Sequence, residues 1–175
     1  WKSFLKTLLN TQWRILKMPS WCENRVTFYT PVSKELQKIK TIFSTDRPFH
    51  QIIPEPDWSK IPAPEDLQDS AGNPLAKKGE LPVVSQDNFF NLEWPSSKRA
   101  DSRWHSWRNT HWGCKWEIKK DEIDWLNDED EEICIIFETA WCPAEGICDA
   151  LRENFENLEV TWFFDEPGAQ IAGYL

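Results

Sequence analysis

The sequence predicts an α+β fold in which two helices cover one face of an antiparallel sheet. Three observations carry that prediction. Arg25–Thr30, Trp112–Ile118, Ile133–Thr139 and Glu159–Phe164 alternate or run apolar in the manner of strands. Val32–Phe43 and Ala144–Phe155 place apolar residues three and four apart, as amphipathic helices do. The segments follow one another as β-α-β-β-α-β.

Taken in order, Arg25-Val26-Thr27-Phe28-Tyr29-Thr30 alternates as a half-buried strand. Thr30-Pro31 then reads as a helix cap followed by proline at the first helical position, with Val32, Leu36, Ile39 and Phe43 along one face. Residues 44–111 carry Pro48, Pro54, Pro56, Pro62, Pro64, Pro74, Pro82 and Pro95, so they read as a long proline-rich insertion with one short helix around 87–93. Trp112, Cys114, Trp116 and Ile118 alternate with polar neighbours, which predicts a strand. Residues 121–132 (DEIDWLNDEDEE) hold eight acids and no base, the text of a solvated loop.

Ile133, Ile135, Phe137 and Thr139 resume a strand pattern, and Cys134 and Ile136 make it apolar on both faces, as in the middle of a sheet. Pro143 opens a second helix with Ile147, Leu151 and Phe155 on one stripe, beside Ala144 and Cys148. Glu159–Phe164 is a further strand; Asp165–Gly168 is a turn, and Gln170–Leu175 begins an added hairpin strand. This is the ferredoxin-like plait, with an insertion after its first helix and an extra C-terminal strand. Asn24 suits a turn entering the first strand, Trp141 an end of the core, and Gly168 a hairpin that needs positive φ.

A chain of 175 residues has room for one domain with its own core, and 18–175 reads as that domain. The net charge of −9 is concentrated in the 121–132 run, outside which 21 acids face 20 bases. Five cysteines without a CxxC pair fit buried thiols in a reducing compartment, and no apolar stretch is long enough to span a bilayer, so the expected location is the cytoplasm. Residues 1–17 form a basic amphipathic leader in which Lys2, Lys6, Arg14 and Lys17 meet no acid. It is read as preceding a natural start at Met18, and a membrane role attaches to it alone.

Four short texts in order carry a family resemblance: Trp21-Cys22-Glu23-Asn24-Arg25-Val26, His111-Trp112-Gly113-Cys114-Lys115-Trp116, Glu138-Thr139-Ala140-Trp141-Cys142-Pro143, and Glu166-Pro167-Gly168 before Ala172-Gly173. The chain from Met18 onward resembles the YubB-type ferredoxin-like proteins of bacteria, plasmids and phages. The resemblance implies the plait and a mobile-element setting, and it implies no activity. The leader, and an end in mid-strand where such proteins continue, depart from that pattern.

Twelve tryptophans are more than one small core needs, so some are expected at a groove or interface. The densest stretch is 98–120, where seven bases face two acids and tryptophans are interleaved. The candidate binding residues are Arg99, Arg103, Trp104, Trp107, Arg108, His111, Trp112, Lys115 and Trp116, with Trp141. Cations beside flat rings suit single-stranded nucleic acid; the same residues equally make a strand's core and the arginine stems packed over it. His105, His111 and Cys114, completed by Cys142 or Asp101, lack the paired spacing of a zinc site, so no metal or cofactor is expected. No catalytic motif is present; the one reactive candidate is Cys142 ahead of a helix start, with Glu138 nearby in sequence. The expected function is a binding module for a protein partner, through the Trp-rich region and the acidic run. The alternative is binding of single-stranded nucleic acid through residues 98–120.

Overall fold

The computed structural model describes residues 20–61 and 103–175. The expectations for the leader at 1–17, for a helix at 87–93 and for Arg99 and Asp101 fall outside them.

Strand β1 (Trp21–Tyr29) is the middle of the sheet. Its even-numbered residues Cys22, Asn24, Val26 and Phe28 are buried, and those between them face the other way. β1 pairs antiparallel with β3 (Glu132–Ala140) on one side and β4 (Glu159–Glu166) on the other. β2 (Asp124–Asp128) extends the sheet beyond β3, and β5 (Ile171–Tyr174) beyond β4, giving the order β2-β3-β1-β4-β5. The antiparallel α+β architecture and the C-terminal hairpin strand are as the sequence predicts.

Helix α1 (Ser33–Phe43) buries Leu36, Ile39 and Phe43; α4 (Glu145–Asn154) buries Ile147, Cys148 and Leu151. These join Val26, Phe28, Ile135, Phe137, Val160 and Trp162 in one core. Phe43 lies between Phe28 and Phe137, with ring centroids 5.4 and 6.4 Å away. Each such ring taken from water stabilises the fold by roughly 1.5–3 kcal/mol. Two more helices, α2 (Pro48–Ile52) and α3 (Arg103–His111), fall within 44–111; α2 adds Phe49 to the core, edge-on to Trp112 and Phe137.

The structure corrects the sequence reading at six places, one being that the second helix begins at Glu145 rather than at Pro143. Trp112–Ile118 is not a strand. Trp112 closes α3 by donating its N–H to Arg108 O, and Gly113 at φ 84° breaks the extended path. The alternation was real as burial, since Trp112, Cys114 and Ile118 are all inside, but no ladder accompanies it. The strand beside β3 is instead β2, inside the acidic run. An edge strand with nearly every residue exposed needs no apolar alternation, and charge guards it against further pairing.

Asn24 is not in a turn but in the buried face of β1. Its amide donates to Cys22 O and Thr139 Oγ1, and its oxygen accepts the Trp162 indole N–H at 3.0 Å. α1 begins at Ser33 rather than at Pro31, because Thr30 Oγ1 accepts the N–H of Val32 in a turn ahead of it. In the β4–β5 turn it is Gln170, at φ 58°, that takes the left-handed backbone. Gly168 answers a need for space, since a Cβ there would stand 2.1 Å from Ser20 Oγ.

Candidate functional site

The candidate residues fall into two groups. On α3, Arg108 is buried and donates twice to Glu55 Oε2, at 3.0 and 2.7 Å. Its guanidinium lies 5.0 Å from the Trp104 ring centroid and 4.9 Å from that of Trp112. Glu55 also accepts the Trp58 indole N–H. Arg103 sits over the Trp58 ring at 5.2 Å and donates to Ile61 O. Trp107 packs on the core, stacks on His111 at 4.3 Å and meets Trp112 edge-on. Nδ1 of His111 donates to Trp107 O, the only role a carbonyl partner leaves it. Trp107, Arg108 and Trp112 thus secure α3 to the core and to Glu55, while Arg103, Trp104 and His111 make contacts with neighbouring residues of the protein itself. The cations here are engaged with the protein's own carboxylate, carbonyl and rings.

The zinc-like trio is divided by the same contacts. His105 meets Asn109 side chain to side chain, and Cys114 is buried with its thiol directed to Trp116 O. Burial pushes the thiols of Cys114 and Cys142 up, the latter helped by the Glu166 charge, and Cys142 donates to Gly113 O at 3.0 Å. An activated nucleophile needs the opposite shift.

The second group lies at the surface. Trp116 stands between Trp21 and Trp141, with centroids 5.9 and 5.4 Å away. Lys115 Nζ lies over the Trp116 ring at 5.0 Å and over the Trp141 ring at 5.3 Å. Trp21 is 40% exposed and Trp141 48%. Trp141 is held at φ 66°, a left-handed conformation that costs an aromatic residue about 1–2 kcal/mol. Its N–H donates to Ser20 O.

Two of these rings, Trp21 and Trp116, line a groove of about 730 Å³ together with Glu23, Asp124, Ile136 and Glu138, and Trp141 adjoins it through its contact with Trp116. Its acids are Glu23, Asp46, Glu117, Glu122, Asp124 and Glu138, against Arg47 and Lys119. The groove opens onto the sheet face that none of the described helices covers. Register sets Glu138, Glu23 and Asp165 abreast on β3, β1 and β4. Like charges opposed across strands are unfavourable, by a few tenths to about 1 kcal/mol per pair. One row along, Arg25 approaches Glu23 at 3.8 Å.

At the groove's inner wall, Glu117 accepts N–H bonds from Phe49 and Ile118 at Oε1 and from His50 at Oε2, holding α2 to the segment after α3. Burial pushes its carboxyl up to about 7, outweighing those three bonds and the Arg47 charge, which favour the anion. The unfolded chain releases this proton near 4.5 and the folded protein near 7. Stability should therefore fall as pH rises through that window and level off above it, by an amount on the order of 2 kcal/mol. Urea midpoints at about pH 5 and pH 8 should differ less in Glu117→Gln than in the native chain; equal differences would remove Glu117 as the cause.

No family model matches the chain, and no curated protein does. Among solved structures it is similar to the crystal structure of a protein api92 from Yersinia pseudotuberculosis, family-model DUF1281. The match covers 90% of this chain and 93% of that one, with a TM-score of 0.51 and 12% sequence identity. At that identity the likeness is one of fold.

The groove residues Glu23 and Glu138, and Asp165 beside them, were not candidates for binding in the sequence. The signal for Glu23 was present: alternation in Trp21–Tyr29 puts Trp21, Glu23 and Arg25 on the face opposite Cys22, Asn24 and Val26. The alignment of Glu23 with Glu138 and Asp165 depends on strand register, which spacing does not state.

Proposed function

We propose that the chain is a binding module for a protein partner, and that the contact is made by the groove lined by Trp21 and Trp116 together with the adjoining Trp141. The observation that carries this is the exposure of neighbouring indole rings, at the end of a sheet face that none of the described helices covers. Tryptophan at the surface is costly to solvate and is over-represented among residues that dominate protein interfaces. The strained backbone at Trp141 fits a ring held in place for contact.

The frame for this surface is a ferredoxin-like plait, supported by the strand order β2-β3-β1-β4 with β5 added outside it. The family resemblance, with its mobile-element setting, rests on the four sequence texts. A cytoplasmic location is supported by five free cysteines. Among the described residues no helix is long and apolar enough to cross a membrane.

Single-stranded nucleic acid, the alternative, has less support. Arg103 and Arg108 are engaged internally, and the groove is acidic. The test is a Trp116→Ala/Trp141→Ala double variant. It should keep a native melting temperature to within a few degrees and lose at least tenfold in affinity for the partner captured by the native chain. Undiminished capture would refute the assignment. Salt-sensitive binding of single-stranded DNA, lost in the variant, would replace the protein partner with nucleic acid.

A further inference from the structure

We infer that the groove receives arginine or lysine side chains from an extended basic segment of the partner protein. The inference rests on the protein-binding assignment above and names the chemistry of that partner. Besides the half-buried Glu117, the groove lining carries five carboxylates against two cations. Beyond it, the same sheet face adds Asp165 to the row of Glu138 and Glu23, across three adjacent strands. Opposed carboxylates at that spacing weaken the sheet on its own, and an incoming cation turns the repulsion into attraction.

The aromatic border points the same way. The ammonium of Lys115 already lies over two of the three rings, so the indole faces at this site accept a cation within the molecule. A guanidinium stacks on such a face and bonds a carboxylate in a bidentate fork at once. The groove, at about 730 Å³, falls in the range of about 300–1,000 Å³ that holds a drug-sized ligand, which is more room than a lone ion needs. An extended segment can lay alternate side chains along it, with cations over the carboxylate row and its backbone toward the indoles. Arg47 and Lys119 limit the acidic stretch at the groove's margin, and Arg25 lies within the face beside Glu23. Charge complementarity therefore favours a partner that is basic over a short length rather than throughout.

The test uses the full chain and a labelled synthetic peptide of alternating arginine and serine, with its glutamate-for-arginine counterpart and a single-stranded oligonucleotide as competitors. The arginine peptide should bind, and binding should weaken with salt. The Glu23→Gln/Glu138→Gln/Asp165→Asn variant should bind it about tenfold more weakly, while melting at or above the native temperature because repulsion has been removed. An Asp149→Asn/Glu153→Gln/Glu156→Gln variant removes the same charge from exposed positions on and just after α4, on the covered side of the sheet, and should bind as the native chain does. Equal weakening in both variants would reduce the effect to overall charge and overturn the inference. So would failure of the arginine peptide to bind; in either case loss of the captured partner in the tryptophan variant would leave the protein-binding assignment standing. Preference for the oligonucleotide over both peptides would overturn the two together.

Discussion

Replacing Arg108 with alanine is expected to destabilise the protein by about 3 kcal/mol, a fall in Tm of roughly 6–12 °C. The side chains of Arg108 and Glu55 are each 6% exposed, and both hydrogen bonds of the pair go to the same carboxylate oxygen. Truncation would leave that carboxylate buried with the Trp58 indole and a more distant Arg47, at 3.5 Å. Removing one partner of a buried pair costs more than the pair contributes, because the other charge stays desolvated. The guanidinium also fills the space between Trp104 and Trp112, so packing is lost with the charge. Thermal unfolding measures the change. A Tm within a degree or so of the native value would mean that the pair is solvated and that Arg108 is available for other contacts.

Gly146→Ala should be at least as damaging, at about 3 kcal/mol or more. A Cβ at position 146 would stand 2.0 Å from His111 O and 2.8 Å from His111 C. Both are backbone atoms at the end of α3, so no rotamer change relieves the clash and the two helices must part. The same junction constrains Gly113, whose φ of 84° and 2.7 Å approach to Glu145 N exclude a side chain from the other direction. Gly173→Ala is the control, because its new methyl meets only the Phe164 ring at ordinary contact distance, 3.6 Å. Urea midpoints of the two variants should separate clearly; coincident midpoints would show that α3 and α4 do not abut through the backbone.

What the sequence disclosed and what it concealed follow from where each pattern originates. β1, β3 and β4 are flanked by strands on both sides and packed on one face, so their burial imposes a two-residue period. α1 and α4 each press one stripe on that face and show the period of a helix. β2 is held by backbone pairing at an edge, which leaves no trace in side-chain polarity. Trp112–Ile118 supplied a strand's alternation from a loop that buries Trp112, Cys114 and Ile118 but leaves Trp116 half-buried at the surface. The binding candidates divide for a related reason. Spacing collected arginines and tryptophans into one patch, but the helical period of α3 turns Arg108 inward onto Glu55, which lies 53 residues earlier in the sequence. Trp116 and Trp141 meet Trp21 only through tertiary contact.

The separation of structural from exposed tryptophans is therefore the point to test first. Partner capture should be compared between Trp104→Ala, which removes a ring lying against Arg108, and the Trp116→Ala/Trp141→Ala variant, which removes two rings at the groove. Both proteins would be checked for a native unfolding transition beforehand. Capture retained by the first and lost by the second is the expected result. Capture retained by the second, or lost only in the first, would contradict the placement of the binding surface at the groove.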